Sequence, residues 1–285
     1  MRYLAPQTVD AAIELLRDGG QSTKILAGGT DLLVQLRTDM ISPDVVVDIK
    51  KIDETREIMS ENGGYRIGAA VSSAELNEHA ELKAAWPGLV EAAWLIGSTQ
   101  IMGRASLGGN LCNGSPAADS VPAMIAAGAI AAVAGPDGRR DVPVEDIVTG
   151  PRKLSLAPGE FIVSFLLPER PPRSSDCYQR FIPRTEMDIA VVGVGISVTR
   201  DADGTITEAR VGLGAVAEKP QRVDDAAAAL IGSKLEDAAL DKLEQAVKAA
   251  CRPINDKRGT VEFRTKVAGV VARRVAETAY ERAGA

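Results

Sequence analysis

At 285 residues the chain exceeds the usual single-domain range, so two domains, or two subdomains and a third unit, are expected. Hydrophobic residues make up 45% and charged residues 25%, enough for a full core, and with aromatics at 4% that core must rest on Ala, Val, Leu and Ile. A net charge of −6 with dispersed Lys and Arg argues against a nucleic-acid surface, and no apolar run approaches the roughly eighteen residues of a transmembrane segment.

Residues 1–12 lack the charged, apolar and cleavage regions of a signal peptide. Cys112, Cys177 and Cys251 are odd in number and far apart, which suggests neither a disulfide framework nor a zinc or iron–sulfur spacing. The single histidine, His79, falls in a polar helical stretch and reads as a surface residue. A cytoplasmic protein with no metal site of its own is expected.

In chain order, residues 8–19 read as an amphipathic helix capped by Thr8, with Val9, Ala12, Ile13 and Leu16 on one face and Gly19 at its end. The run Lys24–Ala27 leads into Gly28-Gly29-Thr30-Asp31 and a second helical pattern through Leu32, Leu33 and Leu36. Asp44–Ile49 is β-branched and reads as a strand, which makes the opening αβαβ-like. A second unit begins with a strand at Tyr65–Ala69. A capping box follows at Ser72–Glu75, then a helix with Pro87 in its first turn that runs to about Leu95. Residues 97–116 form a long loop rich in Gly, Ser and Asn. A helix at Ser120–Gly128, a strand to Ala134, the turn Gly135–Gly138 and a strand at Phe161–Leu167 complete the unit.

Pro168–Ser175 is the clearest linker. Beyond it, Ile189–Thr199 and Ile206–Ala217 read as strands joined by a turn at Asp201–Gly204, and helical patterns cover about 222–232, 236–251 and 260–281. The order suggests an α+β C-terminal domain. The closing helix, with Arg and Lys among Val and Ala, either packs on its own domain or offers a partner surface.

Two glycine segments ask for a functional explanation. At Gly28-Gly29 the backbone can turn sharply and bring several N–H groups onto one anion at the start of a helix, although a Gly-Gly turn is often no more than a turn. Ser106-Leu107-Gly108-Gly109-Asn110 repeats the arrangement inside the long loop. Asp119 either caps the next helix or accepts hydrogen bonds from ribose hydroxyls. Gly212–Ala217 fits G-x-G-x-x-A, but Pro220 would interrupt the helix a dinucleotide site needs, so a glycine-bearing strand is expected. No nucleophile elbow, Walker loop, metal cluster or close carboxylate pair is apparent, so if the chain is an enzyme subunit its chemistry would belong to a cofactor.

Taken together, AGGTDLL at 27–33 and QIMGRASLGGNLCNGSPAADSVPAM at 100–124 resemble the two FAD-binding motifs of the molybdenum-hydroxylase flavoproteins. YQRFIPRTEMDIAVVGVG at 178–195, GAVAEKPQRV at 214–223 and RGTVEFRTKVAGVVARR at 258–274 resemble further segments of that family, in order. The resemblance implies an α+β architecture. An FAD-binding fold of the vanillyl-alcohol-oxidase (PCMH) type would cover 1–170, with subdomains at about 1–55 and 56–170. A C-terminal domain of the CO dehydrogenase flavoprotein type would cover 176–285.

It further implies that Ile25, Leu26, Ala27, Gly28, Gly29, Thr30, Asp31 and Leu32 wrap the pyrophosphate of a non-covalent FAD. Ser106, Leu107, Gly108, Gly109 and Asn110 would form the second cradle, with Ile96 near the flavin and Asp119 at ribose or adenine hydroxyls. Ile162 would pack on the isoalloxazine, and Arg180 stands where relatives often carry Lys near the ring, a swap that keeps charge but not geometry. Electrons would come from a small 2Fe–2S subunit, having left a substrate at the molybdenum cofactor of a large subunit, in a dimer of heterotrimers. They would then pass to an external acceptor: a quinone, NAD or oxygen. A free-standing FAD-dependent oxidoreductase of the same fold is the alternative; a cofactor-free scaffold is the second.

Overall fold

The computed structural model describes residues 1–19, 22–184 and 187–285. The first layer is built from β1 (Arg2–Leu4), α1 (Val9–Gly19), β2 (Thr23–Leu26), α2 (Leu32–Arg37) and β3 (Val45–Asp48). Thr8 Oγ1 accepts the Ala11 amide at 3.2 Å, capping α1 as expected. Val9, Ala12 and Leu16 then fall on one buried face. All four residues of β3 are buried, because it is the central strand of a parallel sheet ordered β1-β3-β2. The three-residue β1 was not expected; it pairs Arg2, Tyr3 and Leu4 with Val45, Val46 and Val47.

The second layer contains β4 (Ile58–Glu61), β5 (Gly64–Gly68), α3 (Ser73–Glu78), α4 (Ala80–Ala85), α5 (Pro87–Trp94), α6 (Thr99–Met102), α7 (Leu107–Cys112) and α8 (Ser120–Ala126). It continues with β6 (Ile130–Gly135), β7 (Gly138–Pro143), β8 (Val148–Gly150), β9 (Lys153–Leu154) and β10 (Phe161–Leu167). Its five-stranded antiparallel sheet runs β4-β5-β10-β6-β7. Ser72 and Glu75 form the expected capping box. The stretch 97–116, read as a loop, carries two short helices instead. Glycines weaken α7, but Ser106 caps it through the Gly109 amide and the Gly108 amide donates to the Ala69 carbonyl at 3.1 Å. His79 is half-buried rather than fully on the surface, its Nδ1 accepting the Leu82 amide at the start of α4.

The third layer comprises β11 (Ser174–Phe181), β12 (Val192–Arg200), β13 (Ile206–Gly214), β14 (Gln221–Arg222), α9 (Asp224–Leu230), α10 (Asp237–Ala250) and α11 (Val261–Arg282). An antiparallel sheet ordered β11-β12-β13-β14 is covered by α9 and α11, and α10 packs on those two helices. β11 begins inside the expected linker, so irregular backbone spans only 168–173. The helix α11 packs on its own layer, burying Ala268, Ala272, Val275, Ala276 and Ala279. The segment Gly212–Ala217 opens within β13, not at a helix, as expected. Gly195 and Gly212 matter for packing: a Cβ on either would lie 2.6 Å and 2.3 Å from the Pro122 carbonyl oxygen. Their absence lets α8 lie against the sheet, joining the second and third layers. Among the described residues no helix is long and apolar enough to cross a membrane.

Candidate cofactor-binding site

The cleft has a cavity volume of about 910 Å³ and lies between the first and second layers. That is near the upper end of the roughly 300–1,000 Å³ range of small-molecule sites, so it suits a long ligand rather than a single small metabolite. One wall is β2 and the loop after it; the facing wall is α7. Phe161 and Ile162 from β10 and Ile96 after α5 supply apolar surface, joined by Ile41 and Ile49.

The glycine loops reach the cleft by different means. Gly28 packs on the neighbouring chain: a Cβ there would lie 1.7 Å from the Arg104 carbonyl oxygen. Gly29 has φ of +81°, a left-handed conformation that side-chain-bearing residues rarely adopt. Among the described residues, the amides of Gly29, Thr30, Asp31 and Leu32 donate to no protein acceptor. Gly108 is pressed against Ala69, with a built Cβ only 2.5 Å from its carbonyl oxygen. A Cβ on Gly109 would meet only its own helix cap, Ser106 Oγ, at 3.2 Å, and otherwise point into free space. One glycine of the pair therefore fixes α7 and the other leaves room for a ligand.

Side chains tie the walls together. Asn113 Nδ2 donates to Asp31 Oδ1 at 3.1 Å across the cleft, and burial raises the Asp31 carboxyl above its ordinary range. Asn110 Oδ1 accepts both the amide and the hydroxyl of Ser120, at 3.1 and 2.7 Å, which sets the start of α8. Cys112 opens into the cleft but is otherwise enclosed by protein, and burial pushes its thiol up to about 12. Among the described residues no group of acidic, His and Cys side chains could hold a metal ion.

The structure brings most of the anticipated site residues to this cleft: Ile25, Ala27 through Leu32, Ile96, Ser106, Gly108 through Asn110, and Ile162. Leu26 and Leu107 lie behind its wall, Leu107 fully in the core. Asp119 and Arg180 are not part of the lining. Asp119 accepts from Arg180 Nη1 at 2.6 Å and from the Tyr178 hydroxyl at 3.0 Å, and it makes no side-chain cap bond to α8. Burial drives the Asp119 carboxyl up to about 6, against the opposing pull of Arg180 and Tyr178, and it raises the Tyr178 hydroxyl. Arg180 Nε is buried with no acceptor among the described residues.

Sequence reasoning missed the wall at 152–161, where Arg152, Leu154, Leu156 and Pro158 join the cleft. The Ala157-Pro158-Gly159-Glu160 turn was the available signal. It also missed Asp48 and Lys50, which stand behind the first loop. Lys50 Nζ donates to the Ala27 carbonyl at 2.7 Å and to Asp48 Oδ1 at 2.7 Å. Unpaired amides, open space over Gly109 and a long apolar wall together fit a ligand with a diphosphate and a largely apolar end.

Comparison with known proteins gives the same outline. The family described as FAD binding domain in molybdopterin dehydrogenase matches residues 1–170. The CO dehydrogenase flavoprotein C-terminal domain matches residues 177–279. The carbon monoxide dehydrogenase medium chain of Afipia carboxidovorans is 32% identical over 281 residues, covering 99% of this chain and 97% of the relative. A putative xanthine dehydrogenase FAD-binding subunit of Escherichia coli is also 32% identical, with 99% and 97% covered. Among solved structures, a chain of reconstituted CO dehydrogenase from Oligotropha carboxidovorans superposes with a TM-score of 0.95 at 32% identity, covering 99% of this chain and 98% of that one. A chain of quinoline 2-oxidoreductase from Pseudomonas putida gives 0.90 at 25% identity, with the same coverage.

Proposed function

Because the chain belongs to the family of FAD-binding subunits of the molybdenum hydroxylases, we propose that it is the flavin station of a larger complex, taking electrons from a 2Fe–2S subunit and passing them to an external acceptor. The observation that carries this reading is the cleft, where two glycine loops far apart in sequence face each other across unpaired amides. When bound, FAD supplies exchange of electrons singly or in pairs. The protein's part is to bind and orient it.

In this reading the amides of Gly29 through Leu32 take the diphosphate, and the space over Gly109 lets it approach α7. Ile96 and Ile162 cover the ring system and keep water from it. Asp119 and Arg180 act as a pair behind the wall and reach the cofactor through α8 and Asn110. The FAD-binding unit ends near residue 170, with a subdomain boundary near 55, and the C-terminal domain begins near 176. The partners are a large molybdenum subunit and a small 2Fe–2S subunit, assembled as a dimer of heterotrimers. Three free cysteines suit the reducing cytoplasm.

The free-standing flavoenzyme alternative has less support, because the match runs through both domains and nearly the full length of subunits named as medium chains. Co-expression with the genes beside it tests the choice. The expected product is a stable complex containing molybdenum, iron and FAD, whereas this chain alone gives at most slow diaphorase activity. Substrate oxidation by the isolated chain at the rate of the complex would refute the electron-transfer role.

A further inference from the structure

The loop that carries Gly28 and Gly29 leaves the sheet at Leu26, whose partner Asp48 is the last in the β2–β3 register. Past that point no strand pairing holds the backbone. A side-chain chain does so instead. Tyr3 donates its hydroxyl to Asp48 Oδ2 at 2.5 Å. Asp48 Oδ1 takes the Lys50 amide at 3.0 Å and Lys50 Nζ at 2.7 Å. Lys50 Nζ then donates to the Ala27 carbonyl at 2.7 Å. Lys50 and Asp48 are well enclosed, their side chains 18% and 8% exposed, while Tyr3 covers them from the surface side. Lys50 and the Tyr3 hydroxyl together hold the Asp48 carboxyl below its ordinary range against the upward push of burial.

The contact has a directional consequence. Ala27 and Gly28 line the cleft and Lys50 does not, so the Ala27 carbonyl is turned out of the cleft. In a trans peptide the carbonyl and the following N–H point in opposite directions, so the Gly28 N–H is turned inward. A carbonyl that accepts from an ammonium is also polarised, which strengthens the donor at the other end of the same peptide. The Asp48 carboxylate balances the charge of Lys50, so the effect is one of orientation and polarisation rather than of net positive potential.

We propose that Lys50, held by Asp48 and Tyr3, is a positioning residue for the diphosphate of FAD, fixing the Ala27–Gly28 peptide before the cofactor arrives. Without it the loop must be ordered on binding, and that conformational cost comes out of the affinity. The inference rests on the reading of this cleft as the FAD site.

The test uses the deflavinated complex, titrated with FAD and followed by quenching of flavin fluorescence. Lys50→Met is expected to raise the FAD Kd by about tenfold or more, the scale of one lost charge-assisted hydrogen bond. Lys50→Arg, which keeps a cation and donors in place, is expected to recover most of the affinity. Tyr3→Phe leaves Lys50 in place and is expected to give a smaller loss. ADP, which carries the diphosphate without the ring, should lose its power to compete in Lys50→Met by the same factor as FAD. Lys50→Met leaves the enclosed Asp48 carboxylate with only the Lys50 amide and the Tyr3 hydroxyl, so the cofactor-free protein should melt lower, and the Kd is read well below that temperature, where it stays folded. Three results would overturn the proposal: an unchanged Kd in Lys50→Met, no recovery in Lys50→Arg, or a fall in cofactor-free melting temperature to that of the titration, which would account for the lost affinity. A wild-type protein that fails to bind FAD at all would instead defeat the underlying site assignment.

Discussion

Asn113 and Asp31, 82 positions apart, meet in a 3.1 Å hydrogen bond that clasps α7 to the start of α2 across the cleft. Both residues line the cleft and the bond between them spans it, so the bond must open for a ligand to enter or leave. Asn113→Ala and Asp31→Ala should each speed FAD release by about tenfold, the scale of a net hydrogen bond to a charged group. The double variant should be no faster than either single one, because both remove the same bond. Stopped-flow release into an excess of an FAD-specific apoenzyme as trap measures the rate, and additive effects would show that the pair is not a clasp.

The glycines separate folding from binding. Gly28→Ala should lower expression and melting temperature, because its Cβ would meet the Arg104 carbonyl oxygen at 1.7 Å and both are backbone-fixed. Gly109→Val should leave the protein folded and strip it of flavin, since its side chain would extend into the cleft past only Ser106 Oγ. Absorbance ratio and thermal melting, taken on both variants, read the two effects. Full flavin occupancy in folded Gly109→Val would place the diphosphate elsewhere.

Legibility followed how locally each feature is encoded. The helices α10 and α11 and the strand β10 announce themselves by long periodic or β-branched runs. β7, Gly-Arg-Arg-Asp-Val-Pro, does not: it is an edge strand with only Val142 buried, so it shows no alternation. β11 was hidden because it buries Asp176 among its apolar residues, a polar residue satisfied only by partners from other elements. At the site, the glycine loops were readable because close approach needs glycine. Lys50 was not, since its partner lies 23 positions away on a neighbouring strand's loop.

That buried Asp176 joins the layers. Its carboxylate accepts Arg170 Nη1 at 2.8 Å and the Leu89 amide of α5 at 3.0 Å, while the Arg170 guanidinium sits 4.0 Å over the Trp86 ring. Asp176→Ala leaves the Leu89 amide without an acceptor and a largely buried guanidinium without its counter-charge, held only by the Ala85 carbonyl and Ser174 Oγ. The expected loss is about 3–5 kcal/mol of stability. Urea denaturation of the cofactor-free protein measures it, and a loss under about 1 kcal/mol would mean that water or a shifted neighbour satisfies Arg170.

FAD should be held without a covalent bond. Cys112 is the one cysteine in the cleft lining, and its thiol, pushed up to about 12 by burial, holds almost no thiolate at neutral pH. Trichloroacetic acid should therefore release the whole of the flavin into the supernatant. The released species should have the mass of FAD and brighten after phosphodiesterase cleavage. Yellow colour left in the washed pellet would show a covalent link.

The Asp119–Arg180 pair makes a pH prediction of definite sign. Burial raises the Asp119 carboxyl from 3.8 to about 6, so the folded protein holds this proton more tightly than the unfolded chain. The stability that follows is fully present below the ordinary carboxylate range and is lost as pH rises through about 6. Asp188 works in the other direction: Arg184 and then Arg258 help hold its carboxyl down to about 2, so its contribution is lost only in strong acid. Comparing wild type with Asp119→Asn cancels Asp188, which both proteins share. The melting temperature of wild type minus that of Asp119→Asn should therefore be more positive at pH 5 than at pH 7.5, the change falling between about pH 4 and pH 6 and levelling off above it. A difference that instead grows toward alkaline pH would mean that Arg180 and Tyr178 outweigh burial and hold Asp119 ionised well below its ordinary range.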